Sequence, residues 1–347
     1  MPTVQTLQAA SLQALRRAGV PETQALTQLS VLLEAELRGV ASHGLLRLPR
    51  IIERIRHGVT DPVTRGTGAW RREALWQVDG CQGLGPVVAV EALERVCDKA
   101  QETGVAIAAV RNSDHLGMLA WYAEHVAARG KILIALTISE ALVHPWGGRQ
   151  AMLGTNPIAL GIPTGDAPFV FDMATSLVSM GKIHDHASRD LPIPDGWALD
   201  SEGNPTNDAH AAKQGAIAPF GGAKGYGLAL AFELLVVSLT ESAIGRDVKG
   251  TLDSTELCNK GDVFIVIEPT AHAGQRLSQF LTLLRQSPPA DPSQPVRVPG
   301  DRAQRVRVAQ LDKDIALPAP LWARIQELAG QDPHATGTLQ TNTIEER

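Results

Sequence analysis

Several short stretches of this 347-residue chain combine residue types that can move a proton, fix an anion or cradle a phosphate. The first, Ala41-Ser42-His43-Gly44-Leu45-Leu46-Arg47, closes a helical run. Its serine and glycine predict a turn, and His43 and Arg47, four apart, share a face if the next segment is helical. An imidazole that titrates near neutrality suits proton transfer, and a guanidinium grips a carboxylate through two parallel hydrogen bonds. A capping histidine beside a surface arginine fits the same spacing. The second stretch, Asn112-Ser113-Asp114-His115-Leu116-Gly117, follows the apolar run from Val105 to Val110. Open α/β sheets hold ligands at the carboxyl ends of their strands, which makes His115 a second acid/base candidate, with Asn112 or Ser113 orienting a substrate oxygen. A helix cap at Ser113 or Asp114 with an exposed His115 is the alternative.

Glycine-rich runs form a third group: Trp146-Gly147-Gly148, Gly154-Thr155-Asn156-Pro157 and Phe220-Gly221-Gly222-Ala223-Lys224-Gly225-Tyr226-Gly227. Glycine lets a backbone approach a ligand closely, and Lys224 lies just before an apolar helix, whose amide groups and neighbouring cation suit a phosphate. Structural turns compete with that reading. Neither common nucleotide fingerprint is present: Gly83-Leu84-Gly85-Pro86-Val87-Val88 lacks the third small residue, and there is no GxxxxGK[ST]. Asp172-Met173-Ala174-Thr175-Ser176 follows a strand-like run, and Asp172 either pairs with a histidine or ribose hydroxyl or caps a helix beginning at Ala174. His184-Asp185-His186 has the spacing of two metal ligands on a strand, but no third ligand stands at recognisable spacing and there is no HExxH, so no metal is expected. The absence of GxSxG removes serine-hydrolase chemistry.

The elements that must position these groups follow from periodicity. Residues 1–60 repeat apolar positions at three and four and predict helices, the first twenty residues reading as an amphipathic helix and not a secretion signal. From Leu75 strands and helices alternate: Leu75 to Asp79, helix Val87 to Ala100, Val105 to Val110, helix Leu119 to Ala128, Ile132 to Ile138, Ile158 to Ile162 and Phe169 to Phe171. That order predicts an α/β body with a largely buried sheet. Residues 184–222 read as a polar surface excursion, followed by helix Tyr226 to Thr240 and strand Val263 to Ile267. The apolar stretch Leu228 to Leu239 contains Glu233 and falls short of the ~20 residues that span a bilayer, so it reads as a buried helix. Leu317 to Leu328 is expected to pack back on the N-terminal helices. The resulting division is a helical domain over 1–70 joined by about 300–330, an α/β cofactor- and substrate-binding domain over 71–299, and a mobile tail over 331–347.

Composition narrows the class. The net charge of −5 argues against a nucleic-acid binder, and 44% hydrophobic with 20% charged residues is the balance of a globular enzyme. Three cysteines without CxxC spacing argue against a disulfide framework, and a cytoplasmic location is expected.

Together these motifs resemble the malate/L-lactate dehydrogenase family of the second, non-Rossmann type, which includes ureidoglycolate, sulfolactate and diketogulonate oxidoreductases. The resemblance rests on Ser42-His43-Gly44 with Arg47, Asn112-Ser113-x-His115-x-Gly117, Gly154-Thr155-Asn156-Pro157, Phe171 to Ser176, Gly181-Lys182, Pro192-x-Pro194-x-Gly196-Trp197 and Gly221-Gly222-x-Lys224-Gly225, in family order. It implies a non-Rossmann mixed-sheet nucleotide-binding body and an oxidoreductase using NAD or NADP on a small 2-hydroxy or 2-oxo acid. By the same resemblance His115, slightly favoured over His43, is the acid/base, and Arg47 holds the substrate carboxylate. Thr155 and Asn156 contact the substrate, and Ser139, Asp172, Met173, Ala174, Lys224 and Gly300 of Pro299-Gly300-Asp301 hold the cofactor. A homodimer is implied as well, with no nucleic-acid or membrane partner expected.

The chain departs from the family pattern at Ile51, where members commonly carry tyrosine, and at Asp301, where glutamate is usual. Ala223 stands where cyclic-imine reductases tend to carry histidine, which leans toward C–O chemistry. Reduction of cyclic imines or N-methyl amino acids remains the second enzymatic reading, and a non-catalytic relative that binds ligand without turnover the third.

Overall fold

The structure, a computed structural model, describes residues 2–269, 273–311 and 313–331. The chain opens with helices Val4–Arg17 (α1), Glu22–Leu37 (α2) and Leu48–Arg56 (α3). The Thr3 hydroxyl accepts the Thr6 amide at the start of α1, and Arg16 and Arg17 lie in its last turn, where cations favour the helix dipole. Leu7, Leu15, Leu29, Leu32, Leu48 and Ile52 form one apolar cluster that Ile325 and Leu328 of the C-terminal helix complete, together with Leu84 and Val87.

After α3 come strands Thr67–Arg72 (β1) and Leu75–Asp79 (β2), helix Gly85–Thr103 (α4), strand Val105–Arg111 (β3), helix Leu119–Ala128 (α5), and strands Ile132–Thr137 (β4), Ile158–Ile162 (β5) and Phe169–Met173 (β6). Then follow Met180–Ser188 (α6), Ala198–Leu199 (β7), Pro205–Thr206 (β8), Ala209–Ala212 (α7), Ala216–Ile217 (β9), Ala223–Thr240 (α8), Gly261–Ile267 (β10), Gly274–Gln286 (α9), Asp301–Leu311 (α10) and Ala319–Ala329 (α11). The main sheet has seven strands in the order β1-β2-β3-β10-β4-β5-β6. Its β2–β3 pair is parallel and its other pairs are antiparallel, so the sheet is mixed.

Alternation along β3, β4 and β10 explains the layering. Ala108, Val110, Leu133, Ala135, Phe264 and Val266 face α4 and α5, whereas Leu136 and Val263 face Val236 and Phe232 of α8. Both faces of the central strands are thereby covered, which matches their nearly unbroken apolar runs.

Three expectations change. Residues 184–222 are more than a polar surface excursion: α6, α7 and the small sheet β8-β7-β9 enclose their own apolar cluster around Ile183, Ile193, Ala198 and Ile217. The helix α8 is only partly buried, with Leu228, Leu234 and Leu235 exposed. It is apolar all round, so only the side that meets the sheet finds a partner. It is also long and apolar enough by composition to cross a membrane. Helices α9 and α10 went unforeseen, because α10 buries none of its residues and α9 only Ser278, which leaves little core-facing pattern to read. Of the expected tail, residues 332–347 lie outside the described residues.

Candidate active site

The first motif is built as a double turn. Short 3-10 turns at Ala41–His43 and Leu45–Arg47 carry the chain from α2 into α3, so His43 and Arg47 project from the bend and not from a continuous helix. Glu36, in the last turn of α2, is folded beneath it: its carboxylate accepts the Leu45 amide at 3.0 Å, and burial pushes its pKa up. A Cβ on Gly44 would collide with that carboxylate. Gly44→Ala is therefore expected to destabilise the protein by about 1–3 kcal/mol, the usual cost of overpacking, as read by urea unfolding. An unchanged midpoint and slope would show that the bend is not tightly built. Arg47 donates from Nε to the Ser42 carbonyl (2.8 Å) and from Nη1 to the Thr251 carbonyl (3.3 Å), which fixes the guanidinium plane.

The second motif begins where β3 ends. Asn112 adopts a left-handed conformation (φ 55°) and turns the chain inward. Asp114 is buried against Arg54, at 2.8 Å, and Thr60. The Tyr122 hydroxyl donates to the Leu116 carbonyl at 2.6 Å. The cap-and-exposed-histidine alternative is thus not what forms, because no helix starts before Leu119. The Gly117 amide donates to His115 Nδ1 at 2.9 Å, an assignment that puts the proton of the neutral ring on Nε2. The His43 and His115 rings lie 5.4 Å apart, tilted by 41°. Desolvation, helped by Arg47, lowers His43 to about 4; desolvation, with Arg47, His43, Lys260 and Arg50 adding to it, holds His115 well below its ordinary value. Both imidazoles are neutral at pH 7.

Two cavities meet at these rings. A narrow one of about 20 Å³, lined by Arg47, Arg50, Ile51, His115 and Thr251, has the room of one water. A larger one of about 480 Å³ is lined by His43, Thr155, Asp172, Met173, Ala174 and Gly300, and Gly117 lines both. Asp172 lies on strand β6 and does not cap a helix; the next helix starts only at Met180. Its carboxylate accepts the Ala120 amide at 2.8 Å and opens onto the large cavity, while protein crowded around it pushes its pKa up to about 6.

Other expected residues fall differently. Asn156 is buried behind Thr155 in a left-handed conformation (φ 32°), its Nδ2 donating to Glu233 at 2.5 Å and its Oδ1 left without a partner. Ser139 Oγ accepts the Thr155 amide at 3.1 Å and so supports that residue from below. Lys224 is exposed in the first turn of α8 and lines neither cavity. His184 and His186 sit on α6, where His186 Nδ1 faces the Pro192 carbonyl at 2.8 Å; among the described residues no metal-ligating cluster forms.

Sequence reasoning missed Arg38 and Arg302, which line the large cavity, gave Ser176 no role beyond its motif, and missed the carboxylates of Glu36 and Glu233 that brace the loops. Glu233 carried a signal, as a carboxylate within an apolar helix. Ser176 Oγ is buried without a partner beside the large cavity.

A family model described as malate/L-lactate dehydrogenase matches residues 3–326. The chain is 34% identical to the L-sulfolactate dehydrogenase of Methanocaldococcus jannaschii over 92% of its own length and 94% of that protein. It is 34% identical to the ureidoglycolate dehydrogenase (NAD(+)) of Escherichia coli O157:H7, covering 82% of this chain and 83% of that one. Among solved structures, a dehydrogenase from Sinorhizobium meliloti superposes with a TM-score of 0.92 at 52% identity, covering 95% of this chain and 97% of the other.

Proposed function

The chain belongs to the malate/L-lactate dehydrogenase family, and from that premise we propose that it moves a hydride between NAD or NADP and C2 of a small 2-hydroxy or 2-oxo acid. The observation that carries this reading is the meeting of the two cavities at His43 and His115, one of them bearing a fixed arginine.

The large cavity suits a dinucleotide. Asp172, already holding one backbone amide, can accept ribose hydroxyls, and Arg302 brings positive charge, whereas Arg38 is already paired with Glu34 and Glu124. When bound, the nicotinamide supplies or accepts the hydride. Arg47 takes the substrate carboxylate where the narrow cavity has room for a water, and the acid extends from there toward the larger cavity, which sets the face of C2 that it presents. We assign His115, His43 and Arg47 the catalytic roles. The His115 Nε2–H donates to the substrate oxygen. In oxidation the hydroxyl proton passes to the histidine pair, and His43 can take it on Nε2 while Ser42 Oγ, 3.0 Å away, holds its Nδ1–H; in reduction the proton returns by the same route. Thr155 faces the site with Asn156 and Ser139 bracing it, and Met173, Ala174 and Gly300 line the cofactor's path, whereas Lys224 does not line it.

Asp172 gives a pH prediction. Its pKa is raised, so the carboxylate that accepts ribose hydroxyls is lost as pH falls through about 6. Cofactor affinity is expected to weaken across that range, and Asp172→Asn to bind about tenfold more weakly at neutral pH with no such step. Fluorescence titration of reduced cofactor from about pH 5 to 8 reads both; a step that persists in Asp172→Asn assigns it elsewhere.

We further propose a homodimer, supported by the exposed Leu228, Leu234 and Leu235 on α8, and a cytoplasmic location, supported by unbridged Cys81, Cys97 and Cys258. The helical domain over 1–70 with about 300–330, beside the α/β domain over 71–299, is proposed from the apolar cluster shared by α1, α2, α3 and α11. The testing experiment follows reduced nicotinamide with both cofactors against pyruvate, oxaloacetate and other 2-oxo acids, a cyclic imine, and ureidoglycolate in the oxidative direction. Turnover on an acid supports the reading; turnover on the imine alone replaces it, and cofactor binding with no turnover on the panel points to a non-catalytic relative.

A further inference from the structure

Behind the His115 loop lies a buried charged pair that none of the steps above uses. Lys260 stands immediately before β10 and Asp262 is the second residue of that strand; their side chains retain 2% and 0% of their surface. The Lys260 ammonium lies 2.6 Å from both carboxylate oxygens of Asp262. Two hydroxyls complete the carboxylate's shell, Ser113 Oγ donating at 3.0 Å and Thr137 Oγ1 at 2.5 Å. Strand register sets this arrangement: Asp262 pairs with Val110 of β3 on one side and Thr137 of β4 on the other. The pair therefore sits at the end of the sheet where β3 hands the chain to the His115 loop, and the Asn112 amide also donates to the Lys260 carbonyl at 3.3 Å. A buried ion pair is a poor stabiliser, since the cost of desolvating two charges offsets their attraction, so its place beside the site asks for another role.

We propose that Lys260 and Asp262 are positioning residues for His115, holding the loop Asn112 to Gly117 from behind through the Ser113 hydroxyl so that the ring stays where the two cavities meet. Other anchors hold this loop too, among them Arg54 and Thr60 on Asp114 and Tyr122 on the Leu116 carbonyl, but this one lies next to the strand end. It acts electrostatically as well. The charged and titratable groups around His115 are Arg47 and Arg50 from the turn and helix of the first motif, the mutually paired Arg54 and Asp114, His43, and Lys260 from the start of β10. Asp262 is faced by Lys260, Ser113, Thr137 and Tyr122 of α5. The Lys260 ammonium thus adds to the cations that disfavour a second proton on His115, which keeps the ring a neutral Nε2–H donor.

The kinetic part of the test rests on the dehydrogenase reading, so a second readout needs no turnover. Lys260→Met keeps the volume and removes the charge; Ser113→Ala cuts the link while the ion pair stays intact. Histidine-selective NMR, with the His115 signal identified by its loss in His115→Gln, reads the ring directly. In Lys260→Met the His115 titration midpoint is expected to rise, because a cation is removed while the Asp262 carboxylate stays. In Ser113→Ala the His115 signal is expected to shift and broaden, and kcat on an acid turned over by the parent protein to fall about tenfold, with cofactor affinity within about twofold. A His115 signal and kcat both unchanged in Ser113→Ala overturn the proposal, whatever Lys260→Met does, and leave the pair as scaffold. If the parent protein turns over no acid, the dehydrogenase reading fails, and an unchanged His115 signal in Ser113→Ala alone overturns the positioning role.

Discussion

His115→Ala is expected to lower kcat by about 10²–10⁴-fold, the range spanned by positioned acid/base groups, while leaving cofactor affinity within about twofold. The separation of effects follows from where the ring sits. His115 borders the narrow cavity with Arg47, whereas the large cavity is lined by His43, Asp172 and Gly300. Its role in the donor network is also specific. With Gly117 occupying Nδ1, the neutral ring has one proton to offer, on Nε2, and loss of that donor leaves the developing alkoxide without a partner in a desolvated site. A companion His43→Ala variant separates the two imidazoles, since it faces the larger cavity and touches Ser42. Steady-state kinetics with cofactor titration checks both. Turnover retained in His115→Ala moves the whole proton-transfer role to His43.

Arg47→Lys is expected to raise KM for the acid by about 10–100-fold, the loss of one charge-assisted, two-point contact, with a smaller change in kcat. Two of the arginine's donors are already committed to the Ser42 and Thr251 carbonyls, so the guanidinium plane is set before substrate arrives. A lysine ammonium supplies the charge but neither the fork nor those two anchors. Arg50 lines the same cavity without replacing this geometry. The measurement is KM for the acid in parent and variant under saturating cofactor; equal KM values would place the substrate carboxylate away from Arg47.

Strands and helices with strong periodicity were legible residue by residue: Leu119–Ala128 and Ile158–Ile162 form as read, and Val105 and Ile132 open β3 and β4 as expected. What escaped depends on contacts across the chain. Asp172 reads as a helix cap in one dimension, but β6 runs two residues further, to Met173, and pairs with β5, which turns Asp172 toward the cavity. The burial of α8 could not be read from its composition, because a helix apolar on every side does not say which face meets the sheet. The partners of the bracing carboxylates were equally hidden. Glu233 and Asn156 are 77 positions apart, and Arg54 and Asp114 are 60, so neither pair leaves a local pattern. The candidate site was legible as a set of motifs, and the division into two cavities joined at His43 and His115 came only with the fold.

Hydride transfer to C2 of a 2-oxo acid is read most directly with reduced nicotinamide carrying deuterium at both C4 positions, so that either face delivers the label, and NMR of the acid product. Deuterium at C2, one label per cofactor oxidised, is expected in the parent protein and at strongly reduced rate in His115→Ala. Cofactor oxidation without label at C2 of any acid in the panel would contradict hydride transfer to that carbon.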